Sequence, residues 1–158
     1  MAQRVPMTKK GYEALKQTLH RLKTVERPEN VKDIEEARAH GDISENAEFH
    51  AAKERQALIA GQIAMTEDKL ARAQVIDPSG QKPDRVRFGA TVRLEDTQTA
   101  EEVHYTIVGE DEADASAGTI SVTSPVAQAL MNRGINEEVT VRVPKGTREF
   151  EILEIRFD

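Results

Sequence analysis

The chain has 158 residues, 38% hydrophobic and 32% charged, with a formal net charge of −6 at pH 7 and no cysteine. That length suits one ordinary domain or two small ones, and the missing thiols exclude disulfides, thiolate zinc sites and a cysteine nucleophile. Residues 1–77 hold 13 basic and 13 acidic side chains while residues 78–158 hold 9 and 15, so the acidic excess lies in the second half and no basic stripe marks a free-standing nucleic-acid binder.

No apolar run approaches the ~20 residues that span a bilayer, and the first residues lack the apolar core of a signal peptide. A soluble, cytoplasmic, monomeric protein with no membrane partner is the expectation. The four histidines, His20, His40, His50 and His104, are scattered without metal-ligand spacing. They read as solvated or capping groups, although His40 and His50 both flank the turn described below.

Helical periodicity comes first. Thr8 is placed to cap a helix whose apolar positions Tyr12, Leu15, Leu19, Leu22 and Val25 recur at steps of three and four. The stripe resumes after Pro28 at Val31, Ile34 and Ala37, and the proline should kink the helix or restart it. A second stripe runs Ile59, Ile63, Thr66, Leu70 and Ala73, with Ala51, Leu58 and Met65 spaced by sevens beside it. Two stripes joined by one short polar turn predict an antiparallel coiled-coil hairpin over residues 1–77. Its apolar residues dwindle toward the turn, where Ala47, Ala51 and Ala52 face Ile34 and Ala37, so the end should be slender.

The turn, residues 41–48, carries the chemistry. Gly41 is suited to end the first helix, and Asp42, Ser44 and Asn46 are each competent to cap the second. Asp42 with Glu45 three residues on has the spacing of a capping box, which needs no function beyond closing the hairpin. The other reading is that these two carboxylates serve as magnesium ligands at the end of a probe. Two protein carboxylates, with water and phosphate oxygens completing an octahedron, are a usual protein share of a magnesium site. Such a pair binds the ion well only where another site supplies the remaining ligands.

Asp77-Pro78-Ser79-Gly80-Gln81-Lys82-Pro83 reads as a boundary, with residues 78–83 as linker. Beyond it the period changes to two: Val86, Phe88, Ala90, Val92 and Leu94; Val103, Tyr105 and Ile107; Val139, Val141 and Val143; Phe150, Ile152 and then Ile155. One short helix interrupts them, with Ser124 as cap, Pro125 at its first position and Val126, Ala129 and Leu130 on its apolar side. Residues 84–158 are therefore expected to form a small antiparallel sheet with one helix, giving an α+β chain overall.

The runs Gly41-Asp42-Ile43-Ser44-Glu45-Asn46-Ala47-Glu48-Phe49, Arg27-Pro28, Ala51-Ala52-Lys53-Glu54, Phe88-Gly89-Ala90-Thr91-Val92, Val108-Gly109-Glu110-Asp111-Glu112-Ala113-Asp114 and Ile120-Ser121 with Ser124-Pro125 resemble the bacterial GreA transcript cleavage (elongation) factors of the Gre family. The resemblance covers essentially the whole chain in order. It implies an FKBP-like C-terminal domain that docks on bacterial RNA polymerase and a coiled coil that enters the secondary channel. It also implies that cleavage of extruded nascent RNA in backtracked complexes is stimulated at the polymerase's own active site. On that resemblance Asp42 and Glu45 are the tip acids, catalytic only as ligand donors to magnesium held jointly with the polymerase and not bound stably by the factor alone. Arg38, Ser44, Lys53 and Arg55 are the candidate RNA contacts, against the alternative that the basic residues are solvated and paired with Glu35, Glu48 and Glu54. One departure is that Asn132 and Asn136 stand where the family often has glycine; asparagine tolerates positive φ better than most residues.

Two other readings belong to different classes. A Gre-like inhibitor would block the channel without stimulating cleavage, but such proteins carry an altered acidic tip, whereas Asp42-Ile43-Ser44-Glu45 keeps the cleavage-type spacing. A prolyl isomerase would need an aromatic-lined cavity; Phe88, Tyr105 and Phe150 fall on alternating strand positions that the core claims.

Overall fold

The computed structural model describes residues 3–41 and 46–157. They divide into two compact units, one of Tyr12–Ala73 and one of Gln3–Gly11 together with the chain from Gln74 onward. The sequence reading keeps residues 1–77 together. In the structure the first few residues form strand β1 (Val5–Thr8), paired in a two-stranded sheet with β2 (Ala73–Ile76). Neither strand was expected, because four residues are too few for a period to show against a helical background.

The helical unit contains α1 (Lys9–Arg21) from Tyr12 on, a π-helical turn (Leu22–Glu26), α2 (Arg27–Arg38) and α3 (Ala47–Arg72). The capping role of Thr8 holds: its hydroxyl accepts from the amide of Gly11 at 3.0 Å. Pro28 falls in the first turn of α2, one of the two roles expected of it, and the backbone at Arg27 stays helical where the π turn passes into α2. The amide of Arg27 donates to Leu22 five residues back, and Arg21 and Arg27 keep right-handed backbone at φ −63 and −64. Proline cannot donate to the carbonyl four residues back and its ring crowds it; the wider π turn just before Pro28 accommodates both.

That extra residue rotates the apolar face. Leu22 is buried, and the inward positions then become Asn30, Ile34 and Ala37, leaving Val25 and Val31 exposed against expectation. On α3 the inward residues are Ala52, Ile59, Ile63 and Thr66. Leu58 and Met65 are 62% and 60% exposed, and Ala51 is exposed too, so the sevenfold series beside the stripe faces solvent. Leu22, Ile59 and Ile63, with Leu19 against them, form the apolar seam. Nearer the turn a polar tie replaces it, as the buried Asn30 donates through Nδ2 to the carbonyl of Ala52 at 2.9 Å. At 1.5 Å per residue α3 is about 39 Å long.

The second unit is built on a five-stranded sheet in the order β5-β4-β3-β7-β6, from β3 (Thr91–Asp96), β4 (Glu102–Val108), β5 (Thr119–Ser121), β6 (Glu138–Val143) and β7 (Gly146–Arg156). All pairings are antiparallel except the three-residue edge β5, which runs parallel to β4. Helix α4 (Pro125–Leu130) begins as expected, the Ser124 hydroxyl accepting from the amide of Ala127. Ala127 and Leu130 are fully buried in one core with Val92, Leu94, Ile107, Phe150 and Ile152, and Tyr105 packs on it.

Two irregularities explain where alternation misled. Val86, Phe88 and Ala90 are buried but form no strand, because Gly89 has φ +88 and lies against Pro78. The step of three from Ile152 to Ile155 is a β-bulge: Arg93 faces Glu154 while Leu94 faces Ile152, leaving Leu153 as the additional residue. Asn132 and Asn136 have φ 68 and 71, the conformation that their place in the glycine positions implied.

Asp96 closes the β3–β4 turn. Its side chain is buried, accepting from the amides of Gln98 at 2.9 Å and Thr99 at 3.2 Å and pairing with Arg148 at 3.1 Å. The Gln98 amide above all, with Arg148 helping, holds this carboxyl below its ordinary value against the opposing effect of burial. A depressed carboxyl stabilises the fold above the ordinary aspartate value of about 4, and that contribution is lost as pH falls through the lower folded value. Thermal unfolding of Asp96→Asn should show a lower midpoint at neutral pH and a flatter decline on acidification; a decline as steep as in the wild type would contradict this assignment. In the same turn Ala100 has φ 64, so Ala100→Gly should raise stability by up to about 1 kcal/mol in the same assay.

Candidate functional site

The hairpin turn is the place where the sequence concentrates acidic and basic groups, and the structure describes it from both sides. Helix α2 unwinds through Ala39, whose amide donates to Glu35 at 3.2 Å, and His40, whose amide donates to Ala37 at 3.2 Å. Gly41 follows with φ +115 and nothing near the place a Cβ would take, in keeping with its expected role at the helix end. Asp42, Ile43, Ser44 and Glu45 lie outside the described residues, so the expected metal ligands Asp42 and Glu45 and the expected RNA contact Ser44 have no geometry here.

The return helix starts on Asn46. Its backbone is extended (φ −88, ψ 97) and its Oδ1 accepts from the amide of Phe49 at 3.0 Å, an N-cap on the third residue of α3. Its Nδ2 donates to the carbonyl of Ala37, one of the acceptors that the end of α2 leaves without a helical partner. One side-chain amide thus satisfies both helix ends. Of the three candidate caps, Asn46 is the one that caps α3; the capping-box pair Asp42 and Glu45 lies outside the described residues. The signal was an asparagine three residues before the first aromatic of α3; that it also reaches Ala37 requires the two arms to be side by side.

Around this closure the basic residues find partners other than those expected. The Arg38 guanidinium lies over the Phe49 ring at 5.8 Å, and Phe49 meets His50 edge-on at 5.9 Å. Arg55 pairs across the hairpin with Asp33 at 3.6 Å, and Lys53 donates to Gln56 at 2.8 Å. The expected partners Glu35 and Glu54 are not the ones they meet, and Glu48 stands 3.4 Å from His40, a charged contact only when that histidine is protonated. Among the described residues neither Arg38 nor Lys53 forms an ion pair. Phe49 as a seat for Arg38 was missed, because an i to i+11 contact across a turn has no local sequence signature.

The same region holds a shallow open groove lined by Asp33, Glu36, Ala37, His40, Glu48, Ala51, Ala52 and Arg55. Among the described residues no group of three or more histidines, aspartates or glutamates is close enough to hold a metal ion, and no helix is long and apolar enough to cross a membrane.

Comparison with known proteins accounts for nearly every residue. Residues 5–75 match the family described as transcription elongation factor, N-terminal, and residues 81–157 match transcription elongation factor, GreA/GreB, C-terminal. The chain is 54% identical over 158 residues to the transcription elongation factor GreA of Trichlorobacter lovleyi, covering 100% of both. It is 57% identical over 155 residues to that of Anaeromyxobacter sp. (strain K), covering 98% of this chain and 93% of the relative. Among solved structures, the GreA factor homolog 1 of Thermus thermophilus aligns at 30% identity and a TM-score of 0.44, over 98% of this chain and 99% of the other.

Replacing Asn46 by alanine removes the N-cap of α3 and strands the Ala37 carbonyl. The loss should be about 1–2 kcal/mol, with amide exchange at Phe49 and His50, whose amides bond to Asn46, accelerated ahead of the sheet. Unchanged exchange at those amides would show that the double tie does not hold the turn.

Proposed function

This chain belongs to the GreA/GreB family of transcription elongation factors, and from that premise we propose that it binds bacterial RNA polymerase, passes its hairpin tip through the secondary channel and stimulates the polymerase's own cleavage of backtracked RNA. In this reading Asp42 and Glu45 help to hold a second magnesium ion, and the chain donates ligands without being a nuclease itself. The observation that carries the reading is the closure of the hairpin by Asn46. Because Asn46 serves both α2 at Ala37 and α3 at Phe49, the start of α3 has its cap without calling on the tip acids.

The chemistry of the donors suits the ion. Carboxylate oxygens are what magnesium prefers, and two of them fall short of six, so a partner's oxygens are required. A magnesium ion bound there would lower the pKa of the attacking water and offset charge on the phosphate being cleaved.

Each remaining residue has a separate task. The small residues Ala37 and Ala52 on the seam keep the arms close together near the tip, suiting a narrow passage. Arg38, seated over Phe49, and Lys53, bound to the neutral Gln56, present positive charge toward phosphates of extruded RNA. Arg55, being paired with Asp33, serves the hairpin first.

Backtracked elongation complexes with labelled RNA test the reading directly. Wild-type protein should release short 3′ fragments. Asp42→Ala and Glu45→Ala should each lower the rate by roughly 10- to 100-fold or more, with partial recovery at high magnesium, since what is lost is metal affinity. A wild-type protein that slows nucleotide addition and yields no fragments would replace this reading with the channel-blocking one.

A further inference from the structure

The loop after β4 makes a clasp on the N-terminal strand that no step of the reaction above employs. The Glu112 amide donates to Gly109 at 3.0 Å, closing a turn, and the Glu112 carboxylate folds back to accept from the Gly109 amide at 2.9 Å. The same carboxylate takes two donors from a residue 104 positions away, the Thr8 amide at 2.9 Å and the Thr8 hydroxyl. That hydroxyl in turn accepts from the amide of Gly11 in the first turn of α1. One carboxylate therefore gathers three donors and, through Thr8, the first turn of the long helix.

The packing is close at the two glycines of the clasp. A Cβ at Gly109 would stand 2.5 Å from the Pro6 carbonyl, and one at Gly11 would fall on the Glu112 side chain itself. At Gly109 a glycine is needed because two pieces of chain approach at backbone distance, whereas at Gly11 an added methyl would meet only the Glu112 side chain and would push it aside. Thr8 is followed at once by α1, and α3 passes at Arg72 directly into β2, the partner of β1.

We infer that Glu112 is a positioning residue for transcript cleavage: by clasping Thr8 and Gly11 it holds β1 and the first turn of α1 against the loop after β4, and the action of the tip acids depends on that first turn being held. This rests on the function proposed above. Glu112 touches neither RNA nor metal in this account; it acts through α1.

The test uses the full-length protein with RNA polymerase and backtracked complexes. Polymerase affinity is measured by competition, and the cleavage rate is measured at saturating factor over a magnesium titration. Glu112→Ala should leave affinity within about twofold while lowering the saturating cleavage rate at least tenfold. Unlike the loss in Asp42→Ala, this one should not recover at high magnesium. Glu112→Gln, which can still accept but without charge, should fall between. Gly11→Ala is the second variant: it keeps the carboxylate and favours the helix, yet its methyl displaces the clasp. A clasp requires Gly11→Ala to lose cleavage at unchanged affinity, whereas a role in helix stability alone leaves it at or above wild type. Wild-type cleavage in both Glu112→Ala and Gly11→Ala overturns the inference, as does a loss of affinity that accounts for the whole effect. Failure of the wild type to stimulate any cleavage overturns the function itself, and the inference with it.

Discussion

Two helices lying side by side can bury only one seam each, and that limit governs the helical unit of this protein. The apolar cluster of Leu19, Leu22, Ile59 and Ile63 occupies one stretch of the arms, and toward the turn the seam narrows to Ile34, Ala37 and Ala52. Such a seam contributes little burial per residue, so alignment of the arms passes to directional bonds. Asn30 reaches the Ala52 carbonyl within the seam and Asn46 ties the ends of α2 and α3 at the turn. A buried amide is less stabilising than a well-packed leucine but it accepts only one register. For the proposed function, in which the end of the hairpin must arrive at a defined place, register matters more than stability.

The sheet unit solves the opposite problem. Its core, from Val92 and Leu94 through Ile107 to Phe150 and Ile152, is apolar and dense, and its polar work is done at the turns. Four aspartates, Asp77, Asp84, Asp96 and Asp114, have carboxyls held below the ordinary value, and each is held there chiefly by hydrogen bonds from residues two or three places along the chain. Three of them, Asp84, Asp96 and Asp114, belong to the acidic excess of the second half of the chain. Part of that excess is therefore turn architecture, with the charge serving to fasten loops between strands.

The π turn before Pro28 shows how a small backbone event redirects a surface. Had the helix continued in α geometry from the buried Leu22, Asn30 would have stood about 80° off the seam, at roughly 100° per residue. The additional residue in that turn brings Asn30 inward instead and leaves Val25 and Val31 exposed. The polar tie inside the seam exists because of that rotation.

Much of this was legible in the residues alone. Heptad-like spacing announced a helical hairpin, alternation announced a sheet, and Thr8, Ser124 and Gly41 marked helix ends, because each of these signals is local and rests on backbone stereochemistry. The motif around Asp42 and Glu45 pointed to the family for the same reason, being a contiguous run. What the tertiary structure alone decided were the pairings between distant segments. These include which of three candidate residues caps α3, where Arg38, Lys53 and Arg55 find partners, which way the helix face turns after Leu22, and that Glu112 grasps a strand 104 positions away. Those outcomes depend on two surfaces meeting in space, and sequence spacing carries no record of a contact whose partners are not neighbours along the chain.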